Sequence, residues 1–223
     1  MRAQRLIVAL AALSLGVQGA SAAEIPDALV VLETYLEGHP GDSPEAAPPR
    51  FVLLQDGQVF VGGTSHVVAG RLSSGETKAI EKRLSAVRRL SGLGSSVSLG
   101  PGAARHRLRL RKGRPLEILA TGDPAGAPQA LQPLASLIAD LESFEHPGLK
   151  PYAPKEYWLT ARLGSLPGGC RSWPSPEPLT EGSRTVPASH YSTWPTGARP
   201  ASVCVDGKTF VVTLRPLLPG EKP

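Results

Sequence analysis

The sequence predicts an α+β protein: an antiparallel sheet of hairpins and meanders, two amphipathic helices packed on it, and a loop-rich C-terminal section stapled by a disulfide. Three observations lead there. Asp-Gly dipeptides at 56–57 and 206–207 each lie between apolar, β-branched runs, the setting of a tight hairpin turn. Apolar residues recur at helical spacing in two stretches, 75–90 and 127–144. Both cysteines and all three tryptophans follow residue 145, and 24 glycines and 23 prolines stand against only 5% aromatics, a composition that favours a loop-rich chain over a helical bundle.

Taken in order, "ALVVLETYLE" from Ala28 to Glu37 is rich in β-branched and aromatic residues and reads as a strand, with a helix after Asp27 as the competing assignment. "GHPGDSPEAAPP" has the composition of an exposed loop. "RFVLLQDGQVFVGG" reads as a hairpin turning at Asp56-Gly57. Ser73 stands three residues before Glu76, a capping-box spacing, and Ala79, Ile80, Leu84, Val87 and Leu90 mark a helix from Gly75 to Leu90. A short strand is expected around Val97. "HRLRLRKGRPLEILATG" reads as strand, turn at Lys112-Gly113, strand. Leu131, Leu134, Leu137, Ile138, Leu141 and Phe144 then place a helix over Ala127–Phe144. After it the sequence predicts a strand from Glu156 to Leu163, an irregular loop from Gly164 to Pro200, and a hairpin at Asp206-Gly207. The organisation is therefore a leader over 1–22, a region of two strands-then-helix units over 23–145, and a Pro/Trp-rich β section over 146–223.

"FVLLQDGQVFVGG" followed by "GRLSSGETKAIEKRL", Phe51 to Leu84, resembles a hairpin-then-helix module of uncharacterised secreted bacterial proteins. The resemblance implies local fold and carries no activity.

Arg2 and Arg5 precede an apolar run from Leu6 to Val17 and the small residues Ala20, Ser21, Ala22 and Ala23. This is the pattern of a secretory signal peptide cleaved after Ala22 or Ala23; the run is shorter than the roughly 20 residues of a membrane helix. With the first cysteine at Cys170, a lipoprotein anchor is disfavoured. The expected chain is secreted or periplasmic, with no membrane span. Removing Arg2 and Arg5 lowers the formal charge of +5 by two, to +3.

In an exported chain two cysteines read as one disulfide, Cys170–Cys204. The sharper alternative is a thiol nucleophile at Cys170 with His190 downstream, but Gly, Pro and Trp flank that cysteine where a thiol protease has a helix start. No two of His39, His66, His106, His146 and His190 are spaced to share a helix face, so neither a zinc-protease helix nor another metal site is indicated; loop positions are expected for them. No Gly-x-Ser-x-Gly elbow is present, and "GLGSSVSLGPG" follows a helix and precedes a strand, the reverse of a nucleotide loop. No catalytic residue and no cofactor is therefore assigned.

Three features remain as candidate surfaces. Strand alternation sends Arg105, Arg107, Arg109 and Arg111 to one face and Leu108 and Leu110 to the other. That stripe is either a polyanion site or a solvated face guarding an edge strand; without interleaved aromatics, nucleic acid is an improbable partner. Trp173, Trp194, His190 and Tyr191 are candidates for ligand binding on the long loop, or for closing a core over the disulfide. His39, Asp42 and Ser43 of "GHPGDS" form the alternative, a hydrolase with a non-standard site. The leading expectation is a non-catalytic binding or structural protein whose partner is an unidentified protein or envelope polymer.

Overall fold

The computed structural model describes residues 24–36, 47–63, 66–191, 194 and 200–222; the leader expected over 1–22 lies outside them. In chain order the elements are β1 (Ala28–Leu36), β2 (Phe51–Leu54), β3 (Gln58–Val61), β4 (Val68–Arg71), α1 (Ser74–Arg88), β5 (Ser96–Ser98), β6 (Ala104–Leu110), β7 (Leu116–Thr121), α2 (Gln132–Glu142), β8 (Lys150–Pro151), β9 (Glu156–Leu163), β10 (Arg171–Ser172), β11 (Gly182–Pro187), β12 (Ala201–Val205) and β13 (Lys208–Pro216). Among the described residues they form two sheets, β5-β7-β6-β1-β2-β3-β4-β8 and β10-β12-β13-β9-β11. The α+β class holds, and the two strands-then-helix units share the first sheet.

Both helices lie on one face of that sheet. Leu84 and Val87 of α1 and Leu134, Leu137, Ile138 and Leu141 of α2 join strand side chains such as Leu32, Leu108 and Ile118 in the main core. Each such side chain contributes roughly 1.5–3 kcal/mol on leaving water. The opposite face is covered in turn: Val31, Val52 and Phe60 pack with Ile25 and Leu218, and the Tyr152 hydroxyl donates to Leu217 O at 3.0 Å. Double coverage explains why β1 is buried without a break from Ala28 to Glu33; a strand buried on both sides has no water-facing parity.

Local chemistry sets the helix ends. Ser73 N donates to Glu76 Oε2 at 2.8 Å and Glu76 N to Ser73 Oγ at 3.3 Å, the reciprocal bonds of the capping box expected from sequence. The second helix is shorter than the stretch Ala127–Phe144, starting at Gln132 after two single 3-10 turns. Pro133 lacks an N–H and so belongs in the first turn, not the middle, of a helix.

The two Asp-Gly turns differ. At 206–207 both residues have positive φ, 48° and 73°, and Val205 faces Lys208, the two-residue turn expected. At 56–57 only Gly57 has positive φ, 83°, and its N–H bonds back to Leu54 O, giving a three-residue loop, Gln55 to Gly57.

Four strands were not legible. β4 holds Gly70, where an added Cβ would meet Gly148 O at 3.0 Å; the glycine admits the turn after α2, and β8 at its end pairs with β4. The stretch Gly164–Pro200 is not irregular throughout, because β10 pairs with β12 and β11 pairs along β9 from Ala161 to Glu156. β5 pairs parallel with β7, an exception to the antiparallel pattern.

The tightest approach is at Gly122 (φ +102°), where a Cβ would lie 2.1 Å from Gly100 O. Gly122→Ala is expected to destabilise the protein by roughly 3 kcal/mol or more, through backbone displacement and an unfavourable φ. A melting temperature within a degree of the parent would contradict this.

Candidate functional site

The disulfide joins Cys170, just before β10, to Cys204 on β12, with Cα atoms 5.5 Å apart and Ser172 in register with Cys204. No described cysteine is free. Both half-cystines are exposed, so the bond fastens a sheet edge from outside rather than filling the core. Three residues on, Trp173 turns inward. Its ring lies 5.4 Å from Tyr191 and 6.0 Å, edge to face, from Trp194. Its indole N–H donates to Glu177 O at 2.7 Å, which closes the chain between Trp173 and Glu177 into a compact arc.

The four aromatic and histidine candidates of this segment therefore converge, but in different roles. Tyr191 and Trp194 are 1% and 7% exposed and belong to the core of the second sheet with Leu159, Val203 and Leu214. The Tyr191 hydroxyl and Trp194 indole nitrogen are buried without a hydrogen-bond partner among the described residues. His190 stays exposed, 3.7 Å from the Glu177 carboxylate. The charged or titratable side chains the segment leaves at the surface include His190, Glu177 and Arg171, with Arg184 half-buried. Arg184 is itself held by Thr180 Oγ1 and Pro178 O, both at 3.1 Å.

The arginine strand departs further from expectation. Alternation does separate Leu108 and Leu110, which enter the main core, from the guanidiniums. But β6 lies between β7 and β1, so it is no edge strand, and the arginine face is not a solvated outer face. Arg109 is 6% exposed and its Nη2 donates to Glu33 Oε1 at 2.7 Å. Arg107 is 3.6 Å from both Glu33 and Glu117, and Arg111 is 2.9 Å from Glu24. Arg105 has partners of its own. Nearby, Arg215 of β13 pairs with Glu221 at 2.5 Å, both buried. Burial pushes the Glu33 carboxyl above its usual value of 4.5, against the opposing pull of Arg109, Arg107 and Arg215. Desolvation winning over three cations marks this as an interior ionic cluster.

A second polar node was missed by sequence reading. His106 is not a loop histidine: it sits on β6, 1% exposed, on the helix-covered parity of Leu108 and Leu110. Its Nδ1 is 2.9 Å from Glu142 Oε1 at the end of α2, and its Nε2 is 3.0 Å from Gly122 O. Thr34 Oγ1 donates to the same Glu142 oxygen at 2.6 Å. Arg50 completes the node, its Nε donating to Glu142 O at 2.7 Å and its Nη1 to Gly62 O at 2.9 Å. The available signal was parity, a polar residue at a core position of "RHRLRLR"; its partner, 36 residues away, has no local mark.

Hydroxyl, imidazole and carboxylate here do not make a nucleophilic triad. A triad histidine bridges the hydroxyl and the acid, one through each ring nitrogen. In this node Thr34 and His106 both converge on the carboxylate, and Nε2 is committed to a carbonyl, which only accepts. Both ring nitrogens therefore donate, the arrangement of an imidazolium. Burial works against that charge, but the hydrogen bond and charge of Glu142, with Gly122 O, outweigh it and raise His106 above 6.5. Burial likewise acts to raise Glu142, and the bonds from His106 and Thr34 with the nearby charges bring it below 4.5.

Beside this node a shallow cleft of about 620 Å³ is lined by Arg50, Asp123, Gln132, Ser136 and Glu142 among others. A second, of about 520 Å³, lies where Tyr152 meets Leu217 and Leu218. Among the described residues no three of His, Cys, Asp and Glu group closely enough to hold a metal ion, and no helix is long and apolar enough to cross a membrane. His39, Asp42 and Ser43 lie outside the described residues. Comparison with protein-family models, with curated proteins and with solved structures found no match.

Two outcomes are expected. By NMR, His106 titrates above 6.5, and in Glu142→Gln its value falls below the parent's, because desolvation is then opposed only by Gly122 O and the charge of Asp123. Since its folded value is raised, its stabilising contribution is complete below 6.5 and is lost as pH rises through the folded value; titration of the parent below 6.5 would refute the imidazolium. Replacing Cys170 and Cys204 together by serine should cost roughly 3–4 kcal/mol, the closure entropy of a loop of about 35 residues, read as a lower denaturant midpoint. An unchanged midpoint would show the second sheet to be held without its staple.

Proposed function

We propose that this protein works outside the cytoplasm as a non-catalytic binding module. Its recognition surface is the arc between the cysteines, with Arg171, Glu177, Arg184 and His190 as contact residues. The observation that carries the reading is the construction of that arc. Its two ends are tied by the Cys170–Cys204 bond, and its large aromatics, Tyr191 and Trp194, are buried beneath it. Its charged side chains meanwhile remain outside, several of them held by bonds to the arc's own backbone and side chains. Groups pre-placed in this way lose little freedom on binding, which is where much affinity is otherwise lost.

The disulfide supports an oxidising compartment, in agreement with the leader expected over 1–22. Support for a non-catalytic reading comes from the buried or reactive groups of the described residues that are engaged structurally: sulfur in the bridge, His106 and Glu142 with each other, Glu33 with two arginines. Surface charges on a segment anchored by short strands and a disulfide fit recognition of a polar partner, whether protein or envelope polymer.

The test is affinity capture from the native extracytoplasmic fraction, comparing the parent with a variant carrying Arg171→Ala, Glu177→Ala and Arg184→Ala. A partner held by the parent and lost from an equally stable variant is expected. Identical capture by both, or none by either, would overturn the assignment of the surface. Intact mass of the exported protein tests the compartment, with cleavage after Ala22 or Ala23 and no free thiol as the expected result.

A further inference from the structure

Charge is divided unevenly along the sequence from 24 to 145. Between Ser74 and Arg114 the sequence carries eleven lysines and arginines against only Glu76 and Glu81, whereas 24–73 and 115–145 carry Arg50 and Arg71 against twelve acids. Much of the cationic excess on β6 is paired, Arg107 and Arg109 with the buried Glu33, and Arg107 and Arg111 with Glu117 and Glu24 nearer the surface. The excess on α1 and on the β6–β7 loop is disposed differently.

With Leu84 and Val87 facing the core, helical periodicity turns Lys78, Lys82 and Arg89 directly outward, and all three are exposed. They line one ridge about 16 Å long, at ~1.5 Å per residue. On the flanks Lys112 pairs with Glu81 at 2.7 Å, Arg83 pairs with Asp140, and Arg88 donates to Arg114 O. The side chains of the ridge, and that of Arg114 beside it, have no hydrogen bond or ion pair among the described residues. Arg88 and Arg89 suit a helix C-terminus, but that does not account for Lys78 and Lys82. Like charges at i and i+4 destabilise a helix, and a merely solvated face is better served by alternating signs. The ridge keeps the repulsive pair.

We propose that this ridge, Lys78 and Lys82 of α1 and its C-cap Arg89, with Arg114 of the β6–β7 loop, is a docking surface for a linear anionic polysaccharide. Charge complementarity sets the sign of the partner. No Phe, Trp or Tyr occurs between Ser74 and Arg114, so the stacking platforms that single-stranded nucleic acid uses are missing. The exposed large apolar residues of the described chain, Leu36 and Leu163, are not on the ridge, so it offers nothing to insert into a bilayer. Cations in a line fit a chain better than a plane. This surface is separate from the arc between the cysteines, and either can fail without the other.

The experiment uses the mature chain on immobilised heparin as the probe, at low salt. The parent is expected to be retained and to elute with a linear dependence of log affinity on log salt. The variant Lys78→Gln, Lys82→Gln and Arg89→Gln should elute at clearly lower salt, with affinity down by about tenfold or more. Its slope should fall by about 2, because three cations that release counterions on binding have been removed. Glutamine is a good helix former and the positions are exposed, so circular dichroism should be unchanged. A charge-matched control, Lys155→Gln, Arg162→Gln and Lys208→Gln, should elute with the parent. Failure of the parent to be retained, or equal shifts in both variants, overturns the proposal. So does binding to phosphatidylglycerol vesicles or single-stranded DNA that matches or exceeds binding to heparin at the same salt.

Discussion

Burial of the central strand on both faces is the constraint around which the molecule is arranged. β1 lies in the middle of the first sheet, with the helices over one side and the chain around Leu218 over the other. Its one interior charge, Glu33, would be prohibitive alone and is met by Arg109 and Arg107 from the neighbouring strand. Such a cluster adds little net stability compared with an apolar one, yet loss of a single partner leaves a buried uncompensated charge, at roughly 3–5 kcal/mol. The register of β1 against β6, with Glu33 opposite Arg107, is thus penalised if it slips: a shift of one residue would turn these charges into the helix-side core.

The other parity of the same two strands carries the second polar node. Thr34 and His106 face the helices, and they tie the last turn of α2 to the sheet through the Glu142 carboxylate. Arg50 takes the Glu142 carbonyl, one of the last-turn acceptors that a helix leaves unsatisfied. One residue, Glu142, therefore ends the helix, neutralises a buried imidazolium and accepts from a strand hydroxyl. The tight contact of Gly122 with Gly100 lies beside this node, so backbone packing and polar bonding reinforce each other.

The second sheet is built differently. It is small, and its core depends on three aromatics from the segment between the cysteines. Inward placement of Tyr191 and Trp194 leaves the charged residues of the same segment outside, which is how a stretch with little regular structure supplies both interior and surface. Over residues 24–145 the modest net charge conceals a sorting: basic side chains gather on α1 and β6, while the sequence on either side, 24–73 and 115–145, is mainly acidic. On β6 that sorting is structural and on α1 it is exterior, a distinction burial alone makes.

Local features were determined by sequence: the hairpins at both Asp-Gly turns, the capped start of α1, the apolar stripe of α2, the strand Glu156–Leu163 and the Cys170–Cys204 pairing. Each rests on backbone preferences or periodicity within a few residues, or, for the cysteines, on there being one possible partner. Only the tertiary structure decided which of two alternating faces meets water. "RHRLRLR" has the pattern of a strand with a solvent face, and that pattern cannot register a second layer arriving from over a hundred residues away. The same holds for β4 and β11, whose sequences are weak strand formers stabilised by the strands beside them, and for His106 with Glu142. Short-range physics wrote the elements; long-range burial assigned the charges their roles.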